Sequence, residues 1–467
     1  MTDTQVLTAA QMRDAEQVLF DAGTSVSELM EVAGSGAAEW VRRIAAGRSV
    51  TVVCGPGNNG GDGYVIARRL NEAGNDVRVI APVEPITEAA QVARGRWAGD
   101  VRTAGDRSAR GVLVDCLFGS GLSRPLSGEH ALLLRDLAAR HTLAVAVDLP
   151  SGVASDSGAI LNDHLPRYDA TLALGAWKYA HWRLPGRAIV GNKQLVPIGI
   201  AAVQSAAQLV TKPRIDTPAI DSHKYRRGLA AIISGELPGA SALAAQAAMR
   251  SGAGYVKLLR EFEEETFFVQ PSPDLVLTRG PLAKTLEDPR ISALLVGPGL
   301  GRNDAAYNAL SASLASVKPT VLDADALHLL SPEMTSNGAN VLATPHDGEL
   351  EGLCKSFSVI AEDRQARVLA LAKVSGMVIC AKGPDTLVAA PDGRLAVAPP
   401  APSWLSVAGS GDVLAGIAVS RMATGLDPFA AACEAVWLHG EAARQCAPAF
   451  TAAELAKAVS GAVAACL

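Results

Sequence analysis

Residues 49–70 read SVTVVCGPGNNGGDGYVIARRL, and this stretch decides the fold class of the N-terminal half. A continuous β-branched run ends at Cys54, a glycine-rich loop fills 55–63, and an apolar helical pattern starts at Tyr64. Such a run, buried on both faces, is typical of a parallel sheet. The order of strand, glycine loop and helix therefore predicts an α/β fold with a ligand site at the loop. Its spacing matches neither common phosphate-binding motif, so a tight structural turn is the alternative.

Two later stretches repeat this scheme, GVLVDCLFGSGL at 111–122 and LAVAVDLPSG at 143–152. Each carries an aspartate near the end of its strand. Ligands bind beyond the carboxyl ends of the strands in open α/β sheets. We therefore expect one crevice formed by Asn59, Asp115, Asp148 and Ser151. Oxygen ligands without a His or Cys cluster favour a hard cation over zinc. For each aspartate by itself, a helix cap is the alternative.

Together, GPGNNGGDG, DCLFGSGL and VDLPSG resemble the motifs of the NAD(P)H-hydrate epimerase (YjeF N-terminal) family. The resemblance implies a Rossmann-like parallel-sheet domain over 1–210 that interconverts the C6 epimers of NADHX and NADPHX. It implies that the hydrated dinucleotide is held by Asn58, Asn59, Gly60, Gly61, Asp62, Gly119, Ser120, Gly121, Leu122, Ser123, Arg124 and Pro125. It implies that K⁺ is ligated by Asn59, Asp115 and Ser151. Asp148 is implied to meet the substrate and to be catalytic, because a carboxylic acid that helps hydroxide leave and return can scramble C6.

The C-terminal half carries a second glycine-rich element, AGSGDVLAGI at 408–417. Its small residues let the backbone approach a ligand and turn into an apolar run with helical spacing. The free N–H groups and the dipole of a helix N-terminus favour a phosphate. Asp412 in the first turn is either a structural cap or a general base for an acceptor hydroxyl, and the motif leaves both interpretations open.

Four more loops follow predicted strands: GPGLG at 297–301, DADAL at 323–327, TPHDGE at 344–349 and AKGPDTLV at 381–388. Each loop has a structural interpretation by itself, as a turn, a pair of caps or a solvated charge. Parallel strands bring their carboxyl ends to one edge, so the four together predict a nucleotide site. A single histidine such as His346, without ligand partners, is more typical of a hydrogen-bonded scaffold residue.

This set of loops resembles the ADP-dependent NAD(P)H-hydrate dehydratase family over 218–467, which implies a ribokinase-like α/β domain. The resemblance implies that ADP is contacted by Lys382, Gly383, Pro384, Asp385, Thr386 and Gly411. It implies that the hydrated nicotinamide meets Ala253, Gly301, His346 and Asp412, with Asp412 catalytic. Mg²⁺ would accompany ADP, and Glu349 would act near Mg²⁺ or water. The sequence departs from the family pattern at Asp347, where proline is frequent, and at Trp404 and Val407, where a glycine-rich run is usual.

The order of the two halves is similar to that of the bifunctional NAD(P)H-hydrate repair family. The implied function is metabolite repair: R and S forms of NAD(P)HX are epimerised, and the S form is dehydrated to NAD(P)H with ADP, releasing AMP and phosphate. One alternative is a ribokinase-like small-molecule kinase with a regulatory N-terminal domain. Another is a non-catalytic binding scaffold.

The composition agrees with two packed α/β domains. Of 467 residues, 49% are hydrophobic and 19% charged, and the segment 200–221, with two prolines, is the expected boundary. A formal charge of -5 without any Lys/Arg run argues against nucleic-acid and anionic-membrane partners. Seven cysteines without CxxC spacing, and the absence of a signal-peptide pattern, predict a reduced, cytoplasmic protein. Small-molecule partners and a homo-oligomer of unspecified size are expected.

Overall fold

The structure is a computed structural model that describes residues 2–103, 111–261, 272–335 and 340–467. The chain divides into two compact units, Met1–Gln208 and Leu209–Leu467. Each unit is an α/β structure built on a largely parallel sheet, so the predicted fold class is confirmed. No helix in these four ranges is long and apolar enough to cross a membrane.

The first unit alternates strands and helices. Its strands are β1 (Gln5–Leu7), β2 (Val50–Cys54), β3 (Val77–Ile80), β4 (Val101–Arg102), β5 (Val112–Cys116), β6 (Leu143–Val147), β7 (Ala170–Leu174), β8 (Trp177–Lys178), β9 (Asn192–Val196) and β10 (Ala207–Leu209). Its helices are α1 (Ala9–Asp21), α2 (Val26–Ala45), α3 (Asn58–Glu72), α4 (Glu88–Gly95) and α5 (Gly128–Arg140). The main sheet has the order β4-β3-β2-β5-β6-β7-β9, and all its neighbours are parallel. β1 pairs with β8 and β10.

The central strands of this sheet are buried on both faces, as their continuous apolar sequences predict. Alternate residues of one strand point to opposite faces, so Val112 and Val114 pack with α2 and α3, whereas Leu113 packs with α5. The strand order reverses between β2 and β5. A reversal of this kind opens a crevice at the carboxyl ends of the two strands, where their glycine loops follow.

The second unit repeats the architecture on a larger scale. Its strands are β11 (Leu229–Ile233), β12 (Tyr255–Arg260), β13 (Val276–Arg279), β14 (Ile291–Val296), β15 (Thr320–Leu322), β16 (Val341–Ala343), β17 (Val378–Ala381), β18 (Leu387–Ala389) and β19 (Leu395–Val397). Its helices are α6 (Pro238–Ala248), α7 (Leu282–Leu286), α8 (Asp304–Ala315), α9 (Asp325–Leu329), α10 (Asp347–Ser356), α11 (Arg364–Ser375), α12 (Ser410–Ala423), α13 (Pro428–Gln445) and α14 (Ala452–Ala464). Short 3₁₀ helices occur in both units, at Thr2–Thr4, Tyr179–His181 and Gly186–Ala188 in the first and at Pro332–Thr335 and Ser403–Leu405 in the second.

The second sheet runs β13-β12-β11-β14-β15-β16-β17 in parallel, and β18 and β19 extend it antiparallel. Helix α12 is buried along its length from Val413 to Ala423. Small residues make this possible: a Cβ on Gly416 would lie 2.1 Å from the carbonyl oxygen of Ala244 in α6. The close packing of α6 against α12 fixes where the N-terminus of α12 meets the carboxyl ends of the strands.

Candidate active sites

The glycine loops after β2 and β5 line a cavity of about 750 Å³ in the first unit. Its wall includes these predicted residues: Asn58, Asn59, Asp62, Gly119, Ser120, Gly121, Leu122, Ser123, Arg124 and Asp148. Gly60 and Gly61 lie behind the wall, against Gly55 and Met30, and Pro125 is exposed beyond it. Helix α1 adds Arg13 and Glu16, which no motif singled out, because an isolated charged residue on an amphipathic helix carries no signal of a site.

Gly60 is required because two stretches of backbone touch there. A Cβ on Gly60 would lie 1.8 Å from the carbonyl oxygen of Gly55, and a Cβ on Gly55 would lie equally close to that of Leu117. Neither contact leaves room for a methyl group, since backbone atoms cannot move aside as a side-chain end can. The glycines thus clamp the loop after β2 against the loop after β5.

We expect Gly60→Ala to destabilise the first unit by about 1–3 kcal/mol, the usual cost of overpacking a tightly packed site. Thermal unfolding of the full chain measures the effect. Gly57→Ala is the matched control, because Gly57 lies in the same loop, has a φ of -95° and would place its Cβ in open space. Equal unfolding temperatures for the two variants would contradict the steric argument.

Asp148 has a strained backbone conformation, and both of its carboxylate oxygens accept hydrogen bonds. Its φ of 64° lies in the left-handed region, which a residue with a side chain rarely adopts. The Lys178 ammonium donates to Oδ1 at 2.6 Å, and the Ser120 N–H donates to Oδ2 at 2.7 Å. Burial favours the neutral acid, but the charge and hydrogen bond of Lys178 outweigh it and lower the pKa of Asp148. The structure therefore holds Asp148 as a carboxylate.

Sequence reasoning missed Lys178, whose side chain is only 1% exposed. Its ammonium also donates to the Leu174 carbonyl at 2.6 Å and reaches the cavity wall. The available signal was a single lysine in an apolar stretch, GAWKYAHW at 175–182. A lysine is almost never buried unless it is paired, and its partner here lies 30 residues earlier in the chain.

Two other carboxyl groups share the cavity with Asp148. Burial, and then the negative charges of Asp148 and Glu16, raise the pKa of Asp62 well above its ordinary value. Burial also raises the pKa of Glu16. One wall thus combines a carboxylate whose pKa is lowered with two carboxyl groups whose pKa values are raised.

The residues implied to ligate K⁺ differ in their surroundings. Asp115 is completely buried and accepts hydrogen bonds from Tyr168, Ser151 and the Leu117 N–H. Burial nevertheless raises the pKa of Asp115 above its ordinary value. Ser151 also accepts a hydrogen bond from the Phe118 N–H at 2.9 Å, so this cluster ties the loops after β5 and β6 together.

Asn59 is the member of this set that lacks partners. Both amide atoms of its side chain are buried without a hydrogen bond in the part of the chain that the structure describes. The amide lies beside Gly119, where a Cβ would be 3.2 Å from Asn59 Oδ1. A buried orphaned amide calls for a ligand or an ion, so Asn59 fits a cation or a polar substrate group. Within the described ranges, no group of three or more His, Cys, Asp or Glu residues is placed to hold a metal.

The second site lies where the loops after β15, β16 and β17 meet the N-terminus of α12. Lys382 forms an ion pair with Asp323, and its ammonium lies 3.9 Å from the Glu349 carboxylate. The Thr344 hydroxyl donates to Asp323 at 2.8 Å. Gly411 adjoins the same ammonium, since a Cβ there would lie 3.4 Å from Nζ. The predicted nucleotide loop and the AGSGD element are therefore brought together.

Asp412 is not used as a helix cap. Gly409 occupies the N-cap position with a φ of 88°, and no side chain among the described residues caps α12. Burial, and then the negative charge of Asp323, raise the pKa of Asp412 to about 6, although Lys382 opposes the shift. Its carboxyl group makes no hydrogen bond elsewhere in the described parts of the chain. Of the two interpretations that the motif left open, this geometry favours the general base.

Arg364, which sequence reasoning also missed, holds the loop at 381–386. Its guanidinium donates to the carbonyl groups of Ala381, Lys382 and Asp385 at 2.8–3.1 Å. It pairs with Asp347 at 2.7 Å, so the departure from the family pattern at that position anchors the arginine. Within the loop, the Thr386 hydroxyl donates to the Gly383 carbonyl at 3.0 Å. Pro384 lies between these two residues.

His346 caps α10. The ring Nδ1 of His346 accepts a hydrogen bond from the Glu349 backbone N–H at 3.1 Å. The backbone N–H of His346 donates to the Glu349 carboxylate at 2.8 Å. The ring itself is 60% exposed at the same edge of the sheet as Lys382. His346 therefore has a scaffold role that fixes Glu349, and its ring is accessible to a ligand.

The structure separates the two other predicted substrate residues. Gly301, with a φ of 86°, follows β14 at the site edge and donates its N–H to Asp325 at 3.1 Å. Ala253 instead precedes β12, and its N–H donates to Ser420 in the last turns of α12. It thus lies at the amino ends of the strands, away from Asp412, because residues before and after a parallel strand lie at opposite edges of the sheet. The structure does not bring Ala253 together with the other predicted residues.

Both halves of the chain are similar to known protein families. Residues 26–180 match the family described as YjeF-related protein N-terminus, and residues 230–463 match the NAD(P)H-hydrate dehydratase family. The bifunctional NAD(P)H-hydrate repair enzyme of Escherichia coli is 33% identical, over 92% of this chain and 87% of the relative. That of Thermosynechococcus vestitus is 31% identical, over 94% of this chain and 92% of the relative. The chain belongs to the bifunctional NAD(P)H-hydrate repair enzyme family.

A solved structure described as an ADP/ATP-dependent NAD(P)H-hydrate dehydratase from Bacillus subtilis, co-crystallized with ATP/Mg²⁺, is also similar. It is 26% identical, with a TM-score of 0.47, and covers 54% of this chain and 95% of its own. Membership of the repair family accounts for the presence of two separate loop sets, one in each compact unit of this chain.

Proposed function

We propose that the first unit interconverts the C6 epimers of NADHX and NADPHX, and that the second dehydrates the S epimer with ADP. The observation that carries the proposal is the position of Asp412 at the N-terminus of α12. Its carboxyl group does not cap the helix, and Gly411, directly before it, adjoins the Lys382 ammonium. This arrangement joins a proton acceptor to a binding place for phosphate. The functional domains proposed are 1–210 and 218–467.

In the second unit, Asp412 accepts the proton of the C6 hydroxyl, whose oxygen attacks the β-phosphate of ADP. AMP leaves. The C6–O bond then breaks with its electron pair on the departing phosphate, C5 loses a proton to solvent, and the C5–H electron pair forms the C5–C6 double bond. The free N–H groups of α12 and the Lys382 ammonium hold the phosphoryl oxygens, and the loop at 382–386 holds the nucleotide. Phosphorylation is useful because hydroxide is a poor leaving group and phosphate is a good one. Mg²⁺, with Glu349 as a buried carboxylate 3.9 Å from the Lys382 ammonium, would neutralise phosphate charge.

In the first unit, the cavity binds the hydrated dinucleotide between the loops at 58–62 and 119–125. Asp148 acts as a carboxylate beside the reacting carbon, because Lys178 holds it ionised. K⁺ would be held by the Asn59 amide oxygen with Ser151 and Asp115, and it would supply positive charge at the substrate. The orphaned amide of Asn59 supports this part of the proposal.

A mixture of NADHX epimers, incubated with the full chain with and without ADP, tests the function. We expect reduced nicotinamide absorbance to appear only with ADP, and AMP to be released in step with it. In the presence of both activities the R epimer is consumed as well as the S epimer. Activity with ATP alone would remove the donor assignment, and an accumulating phosphorylated product would favour the small-molecule kinase.

We expect the kcat/KM of dehydration to rise with pH through about 6 and to level off above it. Asp412 must be ionised to accept a proton, and burial places its pKa at about 6. Initial rates at saturating ADP across this range measure the profile. A profile that is flat between pH 5 and 8, where an ordinary aspartate is already ionised, would contradict the assignment.

The remaining proposals concern partners and location. The partners are NADHX, NADPHX and ADP, and the homo-oligomer remains a prediction. A cytoplasmic location is supported by the seven cysteines, all of which are unpaired thiols.

A further inference from the structure

The cavity of the first unit contains a carboxylate, Asp148, that is ionised in the resting site and so has no proton to give to the first substrate oxygen. Both oxygens of Asp148 accept short hydrogen bonds, from the Lys178 ammonium and from the Ser120 N–H. A protonated Asp148 would have to break one of these bonds. Epimerisation at C6 nevertheless needs an acid, because the hydroxyl group leaves far more easily as water than as hydroxide. The proton donor must therefore be another group in the cavity wall.

Asp62 is placed to be that donor. It lies in the first turns of α3, lines the cavity and is 8% exposed. Its carboxyl group makes no hydrogen bond and no ion pair within the described ranges. A buried polar group without a partner is costly, and such groups persist where a ligand or a reaction uses them. The carboxyl group of Asp62 is therefore available to a ligand in the cavity.

We infer that Asp62 is the general acid of the epimerase site and that it works against Asp148 as the base. The inference rests on the proposed epimerase function and assigns the two carboxyl groups distinct roles. Asp62 lies in the stretch implied to hold the substrate, but its carboxyl group has no hydrogen-bond donor among the described residues, which distinguishes it from a positioning residue.

Asp62 gives its proton to the C6 hydroxyl oxygen, the C6–O bond breaks with its electron pair on that oxygen, and water leaves. The N1 lone pair forms the N1=C6 double bond of an iminium ion. Water then adds to the opposite face of C6, the π pair returns to N1, and Asp148 takes the proton of the incoming water. Transfer of one proton from Asp148 to Asp62 through water in the cavity restores the starting state.

The charges around the two groups agree with this division. Asp62 is surrounded by Asp148, by Glu16 of α1 and by Lys178 of β8, and burial raises its pKa while that of Asp148 is lowered. Carboxyl groups whose pKa values are pushed apart by their surroundings are typical of acid and base pairs. Glu16 is the rival donor, because it also lines the cavity and burial raises its pKa.

The test uses the full chain with Asp62→Asn, which keeps the size of the side chain and removes its proton. Purified R-NADHX is followed chromatographically at times short enough to subtract the uncatalysed reaction. We expect the kcat of epimerisation to fall by about 10²-fold or more, with KM changed little. Dehydration of S-NADHX by the same sample should be unchanged, which reports an intact second unit, and thermal unfolding reports the first. Asp62→Ala, which removes the buried polar group altogether, should show the same loss and serves if the asparagine variant folds poorly.

Three outcomes would overturn the inference. A raised KM with an unchanged kcat would make Asp62 a binding residue only. A larger loss of kcat in Glu16→Gln than in Asp62→Asn would transfer the role to Glu16. A wild-type chain that dehydrates S-NADHX but never consumes the R epimer would overturn the proposed epimerase function, and the inference with it.

Discussion

Replacing Asp412 with asparagine is expected to lower the rate of dehydration by about 10²–10⁴-fold, the usual contribution of a positioned general base. Asparagine keeps the size and one oxygen of the side chain, and it cannot accept the proton of the C6 hydroxyl. Since α12 has no side-chain cap among its described neighbours, the substitution removes no capping bond. Initial rates with S-NADHX and ADP measure the loss.

The stability of this variant provides a second readout. A carboxyl group whose pKa is raised on folding, here to about 6, binds its proton more tightly in the native state. Its contribution to stability is present at low pH and lost as the pH rises through about 6. Asp412→Asn should therefore unfold at the same temperature as wild type or higher at neutral pH. Affinity for ADP and epimerisation should both be retained. Turnover close to wild type would reject the base.

Replacing Lys178 with methionine is expected to abolish epimerisation and to destabilise the first unit by about 3–5 kcal/mol, the typical cost of removing one partner of a buried ion pair. Asp148 would remain as a buried carboxylate without its cation. Because the folded pKa of Asp148 is lowered, its share of the stability is present above the ordinary pKa of aspartate and lost as the pH falls. Thermal unfolding at neutral pH and epimerisation of R-NADHX measure the two losses.

The double variant Lys178→Met with Asp148→Asn separates stability from activity. It removes both charges, so much of the lost stability should return, because replacing a buried ion pair by neutral groups of similar volume is often tolerated. Epimerisation should not return, since the proposed base is gone. Dehydration of S-NADHX in the same sample is the internal control. Normal epimerisation in the single variant would show that Lys178 does not set the charge of Asp148.

The sequence by itself determined the fold class and singled out the loops at which both candidate sites are proposed. Runs such as VTVVC are short and continuous, so their burial in a parallel sheet follows from composition alone. The glycines at 55–63 and 409–411 mark close approach of the backbone, and strand ends meet at one edge of a sheet. These signals are local, and they can be recognised in the sequence without knowledge of distant contacts. The role of Ala253 stays a prediction, because a glycine-rich stretch does not say which end of a strand it adjoins, and the structure places this residue before β12.

Only the tertiary structure decided the charge state and the partner of each reactive group. Asp148 is a carboxylate because the Lys178 ammonium pairs with it and lowers its pKa. The pKa of Asp412 is raised because its burial and the negative charge of Asp323 oppose ionisation. Arg364 holds a loop that follows it by a whole helix and strand. These pairs join segments distant in sequence, and a pKa depends on distance and solvent exposure, which residue order does not contain. The motifs thus located the chemistry, and the packing of distant side chains assigned its acids and bases.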